Sequence, residues 1–243
     1  MYKHAKSLTR SKLVQKFMLT ECELTKSHLT PEIPLYLLTE NCDLWHKPLS
    51  DKNEFPEPFW AIYWSGGQGL TRYIIDNCGQ FDRKKVLDIG AGCGASSLAF
   101  LKFCEGVEVS VNDIDGDALE AARFHYGELV GEEKLGNESL ENEKLQNTVS
   151  FTDHNFLSES CEKIKDFDVL LVGDLLYDED VSEMLLKKLE ICDTEKQTIL
   201  VGDPGRPYLD FIQKRLVLLD TFDIPKSYRC TQGLTQANVY RFR

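Results

Sequence analysis

The sequence predicts an α/β fold: a seven-stranded, mostly parallel sheet with helices on both faces and an antiparallel hairpin at its C-terminal end. Three observations predict it. From residue 85 onward, short β-branched runs alternate with amphipathic stretches of helical length, the rhythm of strands joined by crossover helices. The first strand runs straight into a glycine-rich turn and a helix start, "VLDIGAGCGASS" (86–97). The last two strands follow with no room for a crossover helix between them, so they pair antiparallel at the sheet edge.

The elements follow in order. Strands are expected at "KKVLDIG" (84–90), "VEVSVND" (107–113), "TVSFTDH" (148–154), "FDVLLVGD" (167–174) and "QTILVGDP" (197–204). Helices fit between them at about 94–105, 115–130, 179–192 and 207–219. The closing strands are placed at 221–229 and 237–242. Ahead of the sheet, 21–60 reads as mixed helix and loop ending in the proline-punctuated "FPEPFW". The stretch 131–147, "GEEKLGNESLENEKLQN", has no core-forming face and reads as a charged insertion without chemistry.

At 243 residues and 42% hydrophobic, the chain suits one such domain, 21–243, whose N-terminal extension covers 21–80. The first twenty residues carry five basic side chains, hydroxyls at Ser7, Thr9 and Ser11 among others, and no acid, and read as a mitochondrial presequence, with an ordinary surface helix as the alternative. That places the chain in the mitochondrial matrix, or in the cytoplasm if the segment is only a surface helix. The net charge of -12 repels a phosphate backbone and speaks against nucleic-acid binding. The longest apolar runs are too short to cross a bilayer, so no membrane partner is expected. Eight cysteines are scattered without C-x-x-C spacing or clustered histidines, which points to free thiols and no metal site.

Gly90, Gly92 and Gly94 allow positive φ and close approach of a ligand to the backbone at a helix start. A dinucleotide turn would serve as well, but Asp88, two residues before the first glycine, would repel a pyrophosphate and suits a cationic amino-acid end. Asp113, in "NDID" at the end of the next strand, is placed to take both ribose hydroxyls, while Asp115 caps the helix that follows. Asn155, past the third strand, is a candidate for the adenine edge. Together these residues point to S-adenosylmethionine.

"VLDIGAGCG", "VNDID", "GDLLYDED" and "GDPGRP" together resemble the seven-β-strand, class I (Rossmann-like) methyltransferases, and within them the protein lysine methyltransferases that carry D-x-x-Y after the fourth strand. "PFWAIYWSGGQGLTRYIID" (58–76), "GDLLYDED" (173–180) and "VGDPGRP" (201–207) are similar to the mitochondrial members that methylate lysines of the electron-transfer flavoprotein β subunit. The resemblance covers residues 55–240. It implies a monomeric protein-lysine N-methyltransferase with that subunit as substrate. The alternatives are another acceptor, such as a ribosomal protein or chaperone, or a non-catalytic module that retains the cofactor fold.

It also implies a catalytic pair. A lysine ammonium, with an ordinary pKa of about 10.4, must be captured, lose a proton and be held in line with the methyl donor. Asp174, at the carboxyl edge of the sheet, is placed to attract the ammonium and direct the amine's lone pair; Tyr177 would wall the pocket. Spacing alone also allows Asp174 to be a helix cap and Tyr177 a half-buried aromatic. Leu175 and Leu176 stand where base methyltransferases carry two prolines, which speaks against a nucleic-acid base as acceptor. Trp64 is expected to touch the cofactor. Trp60 and Tyr63 read as a lid over the cofactor or a cage for the cationic substrate, with plain core as the alternative for one or both, and Gly66 and Gly67 as a sharp bend. Asp203 and Arg206 either organise the substrate channel or pair with each other. His125 and His154 fit no nucleophile arrangement.

Overall fold

The structure, a computed structural model, describes residues 9–47, 53–136, 146–158, 162–226 and 234–243. Residues 1–8, most of the charged insertion and the end of the expected strand 221–229 lie outside them. The main sheet contains β3 (Lys85–Ile89), β4 (Glu108–Asn112), β5 (Thr148–Thr152), β6 (Val169–Gly173), β7 (Thr198–Asp203), β8 (Leu216–Asp223) and β9 (Gln236–Phe242). Its order is β5-β4-β3-β6-β7-β9-β8, with β8 and β9 antiparallel and the rest parallel.

Strand alternation sends neighbouring residues to opposite faces, and each face has its own core. Val86, Val109, Val169, Leu171 and Leu200 pack under α2 (Ser65–Asp76), α3 (Ala95–Phe103) and α4 (Gly116–Gly136). Leu87, Ile89, Leu170, Val172 and Val201 pack under α5 (Glu179–Leu189). The central strands are continuous apolar runs because both their faces are covered.

The order in which parallel strands are added reverses at β3, with β4 on one side and β6 on the other. Ligands of open α/β sheets bind outside the carboxyl ends of the strands at such a reversal. The glycine turn after β3 and Asp174 after β6 both end there, since Ile89 and Val172 are register partners.

The C-terminal region corrects one expectation. Residues 207–219 are not a helix: two single 3₁₀ turns, Leu209–Phe211 and Gln213–Arg215, lead directly into β8 at Leu216. The apolar spacing of Leu209, Ile212 and Leu216 fits a helix, but the ladder offered by β9 runs from Leu216 to Asp223 and outweighs that weak propensity.

The N-terminal part folds onto the sheet domain. β1 (Glu23–Thr25) and β2 (Leu35–Leu37) form a small antiparallel pair within a region expected as helix and loop. α1 (Arg10–Glu21) buries Val14, Phe17 and Met18 in a third cluster with Phe55, Trp60, Ala118 and Ala121. Arg10 holds Asp117 of α4 through its Nε and Nη2 and Glu54 through its Nη1, and stacks on Phe55 at 4.4 Å. Most of the segment read as a presequence is therefore part of the folded body.

His125 of α4 fastens β2 to the glycine turn. Its Nε2 accepts from the Tyr36 N–H at 3.0 Å, and its Nδ1–H donates to the Cys93 carbonyl at 2.9 Å. Burial lowers its pKa to about 4, so the ring is neutral with one nitrogen in each role.

Candidate active site

The cofactor side is built on the turn after β3. Gly90, Gly92 and Gly94 all have positive φ. Gly92 carries the functional opening: a Cβ there would meet nothing within 4 Å, so its backbone lines open space. Gly90 is bare for a packing reason, because a Cβ would press on the Leu175 side chain at 2.8 Å. That contact joins the glycine turn to the Asp174 loop.

Asp113 holds the turn from the neighbouring strand end. Its Oδ2 accepts from the Gly92 N–H and its Oδ1 from the Asp115 N–H, each at 3.0 Å. Each oxygen keeps a second lone pair, which suits a pair of vicinal hydroxyls. Burial raises its pKa. Asp115 accepts from the Asp117 N–H at 2.8 Å and so caps the start of α4 as expected.

Asp88 is buried beneath the turn. Its Oδ2 accepts from the Ser97 hydroxyl at 2.6 Å, and burial raises its pKa to about 6 against the lowering effect of Ser97. It acts as a buried negative charge under the turn more than as an open ligand. Asn155 is exposed, and its Oδ1 accepts from the Leu157 N–H at 3.0 Å, leaving its amide nitrogen to face outward contacts. The neighbouring His154 carbonyl is fixed at 2.8 Å by the amide of Asn112, a buried side chain that sequence reasoning overlooked.

Ile114 was overlooked as well. It is 74% exposed beside Asp113, an apolar surface at the place where a nucleoside base follows its ribose. An aliphatic residue directly after the strand-end aspartate was the available signal. The open backbone at Gly92, the carboxylate of Asp113 with its spare lone pairs and the apolar Ile114 fit the nucleoside and amino-acid ends of S-adenosylmethionine.

The acceptor side centres on Asp174. It is not a cap for the following helix: that role belongs to Asp178, whose carboxylate accepts from the Val181 N–H at 3.0 Å. Asp174 sits instead at φ +60°, the left-handed region that costs a non-glycine residue roughly 1–3 kcal/mol and persists only where the surroundings impose it. The surroundings are clear. Its N–H donates to the Gly202 carbonyl at 2.9 Å, and its Oδ2 accepts from the Gly66 N–H, in the first turn of α2, at 2.6 Å. Its Oδ1 accepts from Arg206 Nε in an ion pair whose side chains are 3% and 13% exposed.

Gly66 and Gly67 do not form a bend. They open α2, and the missing side chains let the helix approach the strand ends: a Cβ on Gly66 would lie 2.3 Å from the Gly202 carbonyl oxygen, and one on Gly173 3.4 Å from the Gly67 Cα. This close approach is what delivers the Gly66 N–H to Asp174.

The aromatic residues divide. Trp64 is half-buried at the mouth, its indole N–H donating to the Phe59 carbonyl at 3.0 Å and its ring lying 5.4 Å from the Arg206 guanidinium carbon. Tyr63 is a correction to its place in the substrate site, and Trp60 takes the core alternative. Tyr63 is 2% exposed, its hydroxyl 3.1 Å from Thr30 Oγ1 and its ring against His28, while Trp60 packs on Phe17 and Phe55. A substrate cage needs rings that face solvent, and the N-terminal extension covers these two. Tyr177 is 57% exposed, near enough to Asp178, Asp113, Arg206 and Asp174 to feel their charges; burial and then Asp178 raise its pKa, keeping it a neutral phenol.

Asp203 and Arg206 do not pair side chain to side chain. Asp203 Oδ1 accepts from the backbone N–H groups of Gly205 at 2.7 Å and Arg206 at 2.8 Å, shaping the loop after β7, while the guanidinium reaches Asp174. Asp203 is fully buried, which raises its pKa to about 6, and its Oδ2 has no hydrogen-bond partner among the described residues.

The glycine turn and the strand-end carboxylate of Asp113, where the strand order reverses, suit a class I, S-adenosylmethionine-dependent methyltransferase. The comparison with known proteins goes further. A family model described as lysine methyltransferase matches residues 46–210, and the chain belongs to that family. Proteins called electron transfer flavoprotein beta subunit lysine methyltransferase are 36% identical in Rattus norvegicus, over 90% of this chain and 80% of theirs, and 34% identical in Homo sapiens, over 95% and 82%. A homolog of that enzyme in Caenorhabditis elegans is 37% identical over 79% of this chain and 76% of its own. The protein is a lysine methyltransferase whose acceptor is a protein.

Proposed function

We infer that this enzyme methylates lysines of the electron-transfer flavoprotein β subunit, in the mitochondrial matrix and as a monomer. The observation that carries the acceptor is the 34–37% identity, spread over most of the chain, to enzymes named for that substrate. The net charge of -12 agrees with a lysine-rich target surface. Mitochondrial residence draws on the basic, acid-free start. Because α1 belongs to the core, import processing that leaves the fold intact would cut ahead of Arg10.

S-adenosylmethionine, when bound, supplies an electrophilic methyl group on a sulfonium. The chain's own residues prepare the nucleophile. Asp174 offers a fixed carboxylate to the acceptor ammonium, whose proton passes to solvent before transfer, and then a hydrogen-bond acceptor to the neutral amine, which orients the lone pair. Its left-handed backbone and the Gly66 N–H hold that carboxylate in a single orientation, so little is lost in positioning it. Trp64 and the neutral Tyr177 ring flank the approach and exclude water from the amine.

The test is incubation of the purified chain with methyl-labelled cofactor and recombinant electron-transfer flavoprotein, followed by mass spectrometry of the β subunit. Methylated lysines on that subunit are expected. Label on another protein's lysine, with none on the flavoprotein, would overturn the acceptor and leave the family activity standing.

A further inference from the structure

The carboxylate that should receive a lysine ammonium already holds a cation. Arg206 donates from Nε to Asp174 Oδ1 and lies over Trp64 at 5.4 Å. A carboxylate and an aromatic face are the groups that recognise an alkylammonium, and here the enzyme's own guanidinium occupies both. A second cation brought to Asp174 would meet like-charge repulsion in a site almost closed to solvent.

The same loop holds a second carboxylate with capacity to spare. Asp203 Oδ2 is buried without a partner, whereas Oδ1 takes the N–H of Arg206 itself, so the arginine is rooted on the residue whose other oxygen is unpaired. A buried carboxylate oxygen left unmatched is costly and needs a reason. With both acids ionised, the group of Asp174, Asp203 and Arg206 carries one uncompensated negative charge, room for a single further cation.

We propose that Arg206 is the resident occupant of the acceptor-lysine site, and that an incoming lysine displaces it from Asp174 onto the unpaired Oδ2 of Asp203. The exchange keeps every charge matched: the lysine ammonium takes Asp174 and the Trp64 face, and the guanidinium completes Asp203. Arg206 is thus a specificity-determining residue, since only a cation able to compete for the Asp174 carboxylate opens the site. The inference rests on the reading of Asp174 as the lysine ligand.

The experiment is calorimetric titration of the full chain with n-butylammonium chloride, the lysine side-chain analogue, at constant ionic strength against sodium chloride. Arg206→Gln removes the competing cation, and its affinity for n-butylammonium should rise about tenfold over the unaltered protein. Asp203→Asn removes the landing site and should weaken binding about threefold or more, an effect that vanishes when Arg206→Gln is also present. Arg206→Lys keeps a cation and should stay close to the unaltered protein. Equal or weaker binding by Arg206→Gln, or an Asp203→Asn effect that is the same in both backgrounds, overturns the exchange. Should Arg206→Gln fail to fold by circular dichroism, Asp203→Asn decides alone, and unchanged affinity overturns it. Methyl transfer to lysines of a mitochondrial protein extract is measured in parallel. Absence of transfer by the unaltered protein sinks the lysine-ligand reading, whereas transfer with unmoved n-butylammonium affinities sinks only the exchange.

Discussion

Replacing Asp174 by Asn separates its charge from its shape. Asparagine tolerates the left-handed φ of +60°, and its carbonyl oxygen still faces the Gly66 N–H, so the local backbone should hold. What is lost is the charge opposite Arg206. Removing one partner of a buried ion pair costs roughly 3–5 kcal/mol where the survivor has no other counter-charge. Here the guanidinium is 13% exposed and Asp203 Oδ2 is available, so about 2–3 kcal/mol is expected after discounting for both. For a chain of this length each kcal/mol moves the midpoint by about 2–4 °C, which gives a fall of roughly 4–12 °C in thermal unfolding followed by circular dichroism. Turnover should drop about 100-fold or more with cofactor affinity nearly unchanged, since the lost charge faces the acceptor. Turnover within twofold of the original, in a folded variant, would refute the assignment of Asp174 to the acceptor.

Further outcomes follow from the same geometry. Gly92→Ala meets open space but keeps a φ of +53°, so a stability loss of about 1 kcal/mol is expected, together with a cofactor affinity, read by calorimetry, at least about tenfold weaker. Gly66→Ala would drive a methyl to 2.3 Å from the Gly202 carbonyl oxygen, displacing α2 and with it the N–H that holds Asp174; a loss of roughly 1–3 kcal/mol and of most activity should appear together. His125 has a folded pKa near 4 against an ordinary 6.5, so its contribution is full above pH 6.5 and is lost as pH falls toward 4. Asp88 and Asp203, raised to about 6, act in the opposite sense, which is why the comparison must be with a His125→Asn variant: between pH 7 and 5 the parent should lose about 2 kcal/mol more than the variant in denaturant unfolding. Deleting residues 1–20 removes the buried side chains of Val14, Phe17 and Met18 and should leave the domain unfolded or strongly destabilised in a melting experiment, whereas deleting residues 1–8 should not.

What the sequence determined by itself is the part of the protein written in neighbouring residues. Short β-branched and apolar runs bounded by turn residues placed the five parallel strands and the closing hairpin, and the glycines of 90–94 with Asp113 marked the cofactor edge, because β propensity and positive φ are local properties of the chain. Tertiary structure decided the rest. Residues 207–219 became turns and an edge strand because β9 offered a ladder, and Tyr63 became core because residues near Thr30 cover it. Asp174 owes its left-handed backbone to three partners, Gly66 and Gly202 in distant elements and Arg206 on the loop after β7, contacts that exist only once α2 has packed on the ends of β6 and β7. A motif names the residues that meet a substrate, but which oxygen is held and which is unpaired depends on chain segments whose separation in sequence carries no signal of their approach.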